Sequence, residues 1–139
     1  MSEVEVEFTD NSVAIKTAIQ AAAIAWLHEA GGELTSQVKR NTAVDTGQLK
    51  GSWKYIVDEA KLEAIIGSPL QNAIWEEFGT GEYALNGDGC KTPWTYKDAK
   101  GKWHYTHGKK PRRALYNAFT RLKPKLIRLA KEKFKEVDE

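Results

Sequence analysis

The residues best suited to chemistry include an Asp-Thr-Gly triplet at Asp45–Gly47. This is the catalytic triplet of aspartic proteases, in which two carboxylates share one proton. The sequence holds a single copy, so catalysis would require two chains with facing loops, and the flanking residues do not form the apolar strand that such a loop needs. The triplet is also typical of a tight turn, because the carboxylate accepts backbone N–H groups and glycine permits a positive φ. We therefore interpret Asp45 as a turn residue.

Cys90, His104 and His107 have the side chains of a zinc site, but the sequence offers no paired cysteine and no obvious fourth ligand. A nucleophilic Cys90 would need a fixed imidazole base and an orienting partner. The glycine-containing segments at 79–81 and 87–89 lack the lysine-serine ending of a phosphate loop. We therefore predict that the chain is not an enzyme and has no catalytic, cofactor-binding or metal-binding residues. A single cysteine also excludes an intramolecular disulfide.

The elements that position these residues begin with an alternating segment. Val4, Val6 and Phe8 alternate with glutamates, the period of two that predicts a strand with one buried face. A long amphipathic helix starting at Asp10 or Ser12 is predicted next, since one stripe carries apolar residues at three- and four-residue spacing, namely Ile15, Ile19, Ala22, Trp26 and Ala30. The Gly31-Gly32 pair leaves two alternatives open: one long helix with a weak point, or two helices in line.

Short elements fill the middle of the chain. They are strands Leu49–Val57 and Leu62–Ile66 as a hairpin, helix Gln71–Phe78, a flexible glycine-rich loop at residues 79–92, and a Trp-rich hairpin at residues 93–106 with strands Trp94–Tyr96 and Trp103–Tyr105. A closing helix is predicted from Pro111, which suits a first helical turn. Its apolar residues form a stripe that must pack on another surface, namely Leu115, Phe119, Leu122, Leu126, Leu129 and Phe134. Pro124 should kink or split that helix, because it removes a backbone hydrogen bond.

This order of elements predicts an α+β fold in which a long N-terminal helix and a C-terminal helix pack on a small antiparallel sheet of short strands and hairpins. The length of 139 residues fits one domain, residues 1–139. The formal net charge is only +2, but acidic residues gather at the start and basic residues between Lys109 and Lys135. The longest apolar stretch, Ala21–Leu27, is too short to cross a bilayer.

Three segments, taken together, resemble one family. They are Val44–Ser52, with the Asp-Thr-Gly triplet; Ile66–Thr80, with Glu76-Glu77-Phe78-Gly79; and Gly108–Phe119, with the Lys-Lys-Pro-Arg-Arg run. Together they resemble the phage tail-component family that includes tail-completion and head-tail joining proteins of siphophages and prophages.

The resemblance implies a non-enzymatic structural protein of the virion neck or tail, assembled in the host cytoplasm. It implies a ring of identical subunits, commonly a hexamer, between the capsid connector and the tail tube. The expected partners are the connector or stopper protein and the tail terminator or tail-tube protein.

Aromatic residues are numerous for so short a chain, with five Trp and five Tyr. One small core does not comfortably bury them, and aromatic side chains commonly anchor protein interfaces. We therefore predict a subunit or partner interface formed by Val4, Val6, Phe8, Asp45, Trp75, Phe78, Trp94, Tyr96, Trp103, Tyr105, Arg112 and Arg113. The alternative function is a nucleic-acid-binding module that uses the basic C-terminal helix and the aromatic hairpin. In the ring, DNA that passes through the neck channel would make weak contacts with Arg121, Lys125 and Arg128.

Overall fold

The computed structural model describes residue 10, residues 12–43 and residues 47–138. The predicted strand at Val4–Phe8 and the turn residue Asp45 lie outside the described residues. The helices are α1 (Ser12–Asn41), α2 (Gln48–Ser52), α3 (Gln71–Phe78) and α4 (Ala114–Lys135), and the strands are β1 (Lys54–Asp58), β2 (Glu63–Gly67), β3 (Trp94–Lys97) and β4 (Trp103–Thr106). The predicted α+β class is confirmed.

The first predicted helix is one continuous helix, α1, that runs through both glycines. Gly31 lets the ring of Tyr55 on β1 pack against the helix backbone, because a Cβ atom there would lie only 2.5 Å from Tyr55 Cδ2. Gly32 has open space around it. Gly31 therefore allows α1 to pack closely on the hairpin, whereas Gly32 has no such role.

The hairpin of β1 and β2 is antiparallel, with Tyr55 opposite Ile66 and Ile56 opposite Ile65. Tyr55 and Ile66 are half-buried toward α1, whereas Ile56 and Ile65 are exposed on the outer face. The predicted strand Leu49–Val57 was wrong over its first residues, which form the short helix α2 before β1 begins at Lys54. Leu49 points into the core from α2, so tertiary burial outweighs local strand propensity there.

The core lies where α1 and α4 pack against each other. One cluster contains Val38, Leu49, Trp53, Ala73, Ala114 and Ala118. A second contains Ala30, Leu34, Leu122 and Leu126, with Trp26, Ile66 and Leu129 packed against it. Trp26 also donates its indole N–H to the carbonyl of Leu126 at 2.8 Å, which links the middle of α1 to α4.

The closing helix begins later than predicted, and of the two effects predicted for Pro124, a kink or a split, the split does not occur. It begins at Ala114 instead of Pro111, because the backbone N–H groups of Arg112 and Arg113 donate to the carbonyl of Glu76. It also continues through Pro124 without being split. Pro124 is exposed, so the carbonyl that loses its helical partner can bind water instead.

The predicted Trp-rich hairpin is confirmed as β3 and β4, paired with Tyr96 opposite His104. It forms its own two-stranded sheet, separate from that of β1 and β2. The strands therefore form two small sheets instead of the single sheet that was predicted beneath the N-terminal and C-terminal helices. Asp98 fixes its turn by accepting the N–H groups of Lys100 and Lys102. In the described part of the chain, no helix has the length and apolar character needed to cross a membrane.

Candidate interaction surface

Two of the segments that carry the family resemblance meet in space. The Glu76 side chain pairs with Lys109 and lies 4.0 Å from Nε of Arg112. The Glu76 carbonyl accepts the N–H of Arg112 at 2.7 Å. The end of α3 is thereby joined to the basic segment that precedes α4.

Glu77 stabilises the first turn of α4 from another element. Its carboxylate accepts the backbone N–H of Leu115 at 2.9 Å and that of Tyr116 at 3.0 Å. Arg113 at the N-cap makes no side-chain capping bond, so the distant carboxylate does the work that a local Ser or Asp usually does. Glu77 is only 7% exposed, and its negative charge also suits a helix N-terminus.

Gly81 and Gly108 allow the loop after α3 and the loop before α4 to lie close together. The Thr80 N–H donates to the carbonyl of Lys109 at 2.8 Å, and the Lys109 N–H donates to Thr80 Oγ1 at 2.8 Å. Gly81 has a φ of +62°, and a Cβ atom there would lie 2.8 Å from Gly108 Cα. Glycine at 81 and 108 therefore keeps the loop after α3 against the loop before α4.

The third segment lies beside this junction. Ala43 and Gly47, which flank the undescribed residues 44–46, line a cleft together with Glu76, Lys109 and Arg112. The three segments that were singled out on sequence grounds thus converge around the ends of α3 and the start of α4.

A largely exposed apolar surface lies next to this junction, and we call it the α3 surface. It comprises the half-buried Trp94 and the exposed residues Ile74, Trp75, Phe78, Tyr96, Tyr116 and Phe119. Ile74 and Phe78 line a cleft between α3 and α4 with Leu115 and Phe119. The same two residues border a second cleft with Trp75 and Trp94. A third cleft joins Trp75 to Trp94 and Tyr96, so the surface is continuous from α4 to the Trp-rich hairpin.

The structure brings together four of the aromatic residues predicted at an interface: Trp75, Phe78, Trp94 and Tyr96. Trp103 and Tyr105 lie on the other face of the hairpin, where they are 65% and 68% exposed. Of the predicted arginines, Arg112 is exposed, and Arg113 lies over the Tyr116 ring at 4.1 Å. Val4, Val6, Phe8 and Asp45 lie outside the described residues. The interface itself stays a prediction.

Sequence reasoning missed Ile74, Tyr116 and Phe119 as surface residues. Phe119 and Phe134 were assigned to the buried stripe of the closing helix, and both are exposed. The buried side of α4 is narrower than predicted, because α1 covers mainly Ala118, Leu122 and Leu126.

The residues considered for metal or nucleophilic chemistry are separated in the structure. Cys90 is exposed and donates its thiol to the carbonyl of Thr92. His104 lies 2.7 Å from Asp98, and His107 lies 3.7 Å from Glu82. The hydrogen bond with His104, and then that from the Lys102 N–H, lowers the pKa of Asp98. No cluster of three or more metal-ligating side chains occurs among the described residues.

The residues predicted to face DNA have different surroundings. Arg121 and Arg128 are exposed and lie two helical turns apart on one side of α4. Lys125 is half-buried and pairs with Glu33 of α1 at 3.1 Å. Lys125 therefore helps to hold the two long helices together.

Comparison with protein families matches the first half of the chain. Residues 7–79 match the HK97-gp10-like family, described as "Bacteriophage HK97-gp10, putative tail-component". The match spans α1, both strands of the first hairpin and α3. A search of curated proteins and a search of solved structures found no significant match.

The chain is a structural protein of the phage tail-component class, as the resemblance predicted. It belongs to the HK97-gp10-like family. Its place is therefore the virion, and its partners are other proteins of the phage tail or neck.

Proposed function

We propose that this protein is a tail-completion or head-tail joining subunit that acts by assembly and catalyses no reaction. In this proposal, identical subunits form a ring, commonly of six, between the capsid connector or stopper and the tail terminator or tail tube. A closed ring requires a heterologous interface, in which one surface of each subunit meets a different surface of its neighbour.

The α3 surface is the observation that carries this proposal. It joins the exposed Trp75, Phe78 and Tyr96 through the half-buried Trp94 in one continuous area, and large exposed apolar areas usually mark interaction sites. The surface is also backed by a fixed framework, since Glu76 and Glu77 tie α3 to the start of α4. A preorganised apolar surface loses little conformational entropy on binding.

Light scattering coupled to size-exclusion chromatography tests the proposal on the purified protein, alone and mixed with its connector and tail-tube neighbours. We expect assemblies that are multiples of the 15.6 kDa subunit. Trp75→Ala should weaken association roughly 30-fold, as expected for a central aromatic anchor.

Ile56→Ala is the matched control, because it also shortens an exposed apolar side chain, on the outer face of the first hairpin. It should leave assembly unchanged. A wild-type chain that stays monomeric in every mixture would contradict the proposal, as would equal effects of the two variants.

The second candidate is nucleic-acid binding through α4. It is favoured by Arg121, Arg128 and Lys135, which repeat every seven residues and so share one side of the helix, all of them exposed. Fluorescence anisotropy with a short DNA duplex tests it. Binding should weaken steeply with salt and fall when Arg121 and Arg128 become glutamine. Indifference to DNA at low salt would exclude this candidate.

A further inference from the structure

The Trp-rich hairpin has an outer face that is separate from the α3 surface. Trp103 and Tyr105 share this face at alternate residues of β4 and are 65% and 68% exposed. Lys97 and Thr95 lie opposite them on β3, and both are exposed. The face therefore presents two aromatic rings beside polar side chains, unlike the apolar α3 surface.

Both rings are held in place by neighbouring side chains. The Lys97 ammonium group lies 6.0 Å from the centre of the Trp103 ring. The rings of His107 and Tyr105 meet edge to face, with their centres 5.4 Å apart. Because these contacts and the Asp98 turn fix the face in advance, it loses little conformational entropy when a ligand binds.

The outer face and the turn beside it are positively charged. Lys97, Lys100 and Lys102 are exposed, and none of them forms an ion pair with a carboxylate of the described residues. Asp98 is the only acidic residue between positions 93 and 106. Its oxygens are already engaged by His104 and by two backbone N–H groups of the turn. A ligand on this face therefore meets unpaired positive charge and no free carboxylate of the hairpin.

The arrangement of rings and lysines favours a nucleic acid over a protein partner. Lysine is depleted in protein interfaces, where aromatic residues and arginine are enriched. Here an ammonium group lies over one of the rings. A polynucleotide supplies a planar base for each ring and a phosphate for each ammonium group, which is the usual combination in strand-binding proteins.

The spacing of the rings favours a single strand over a duplex. Alternate residues of a β-strand are about 7 Å apart, about twice the ~3.4 Å rise between successive bases of a duplex. Neighbouring bases can stack on Trp103 and Tyr105 only where they are unpaired and separated from each other. In a duplex the faces of the bases are covered by the adjacent pairs.

We infer that the outer face of the Trp-rich hairpin binds a single-stranded nucleic acid, with bases stacked on Trp103 and Tyr105 and phosphates beside Lys97 and Lys102. This site is distinct from the α3 surface and from the basic side of α4. It therefore depends neither on the proposed ring nor on duplex binding by α4.

Fluorescence anisotropy of a labelled oligodeoxythymidine of about six nucleotides measures this binding. A strand of this length occupies one subunit, so that ring assembly does not change the measured affinity. Trp103→Ala should weaken binding roughly 10-fold, and its combination with Tyr105→Ala roughly 100-fold, because each ring stacks on one base. Trp103→Phe keeps an aromatic face and should bind nearly as the wild-type chain does. Trp75→Ala is the matched control, since it removes an exposed indole from the α3 surface, and it should bind as the wild-type chain does.

Changes in the ligand separate stacking from charge. An abasic strand of the same length keeps the phosphates and offers no base, so it should bind about as weakly as the double alanine variant. Lys97→Gln combined with Lys102→Gln should reduce the salt dependence of binding to the intact strand. Arg121→Gln combined with Arg128→Gln, which tests α4, should leave binding of the single strand unchanged.

Three results would overturn this site and leave the proposed ring intact. They are a wild-type chain that does not bind the oligonucleotide at low salt, equal binding of the abasic strand, and an unchanged affinity of the double alanine variant. Loss of association with the connector or tail-tube protein in the double alanine variant, without oligonucleotide binding by the wild-type chain, would assign the face to a protein partner instead.

Discussion

Replacing Glu77 by alanine is expected to lower the free energy of unfolding by about 3 kcal/mol. Its carboxylate is buried and accepts the backbone N–H groups of Leu115 and Tyr116. Without it, both N–H groups lose their acceptor inside the protein, and Arg113, whose Nε lies 3.8 Å from the carboxylate, loses its ion-pair partner. Urea unfolding followed by tryptophan fluorescence measures the loss.

Glu76→Ala provides the matched control on the adjacent residue. The Glu76 side chain is 15% exposed, but its partners Lys109 and Arg112 are 50% and 53% exposed. Solvent therefore screens the ion pairs, and their loss should cost about 1 kcal/mol. Its backbone carbonyl, which accepts the N–H of Arg112, is unaffected. Glu77→Gln should fall between the two, since it keeps one acceptor oxygen. Similar small losses for all three variants would contradict the capping role of Glu77.

The contrast between these neighbouring glutamates shows where sequence reasoning ends. The local pattern predicted helix α3 with its bounds, Gln71–Phe78, because apolar residues and the flanking Pro69 and Gly79 are local signals. It could not predict that Glu77 is buried. Its partners lie 38 and 39 residues further along the chain, and no periodicity connects them.

The same dependence on distant contacts explains two incorrect predictions, one at Leu49 and one on the closing helix. Leu49 belongs to a segment with strand propensity, but its burial in the core beside Trp53 holds it in helix α2. The stripe on the closing helix was predicted correctly as a pattern. Which residues of the stripe are buried depends on how much of α4 is in contact with α1. Phe119 lies outside this contact and lines the α3–α4 cleft.

The candidate surface was predictable in part because aromatic content is a property of the sequence. Trp75, Phe78, Trp94 and Tyr96 were predicted at an interface, and the fold places them on one continuous surface. Their association with Ile74 and Tyr116 required the geometry of the α3–α4 junction. The sequence also predicted Ile15 and Ile19 on the apolar stripe of α1. It could not show that both are exposed, because this depends on how far α4 extends along α1.

The Gly31-Gly32 pair allows a second prediction, in which adjacent substitutions of the same kind have opposite effects. In a helix interior alanine is normally more stable than glycine by about 1 kcal/mol. Gly32→Ala should show this gain, because a Cβ atom at that position meets nothing within 4 Å. Gly31→Ala should instead destabilise the protein by about 2 kcal/mol, since its Cβ atom overlaps the Tyr55 ring and forces the first hairpin away from α1.

Thermal unfolding of the two variants, followed by circular dichroism, tests whether the glycines act as a weak point in α1 or whether Gly31 provides room for the Tyr55 ring. If the glycines served as a weak point that the helix needs, both substitutions would alter the protein in the same direction. If Gly31 instead provides room for Tyr55, only Gly31→Ala is harmful, and Tyr55→Ala should remove most of the difference between the two positions because the obstructing ring is gone. The double-mutant comparison isolates this contact from the general helix preference for alanine. A gain in stability for Gly31→Ala with Tyr55 intact would show that the hairpin can move away at no cost, and would contradict the packing role of this glycine.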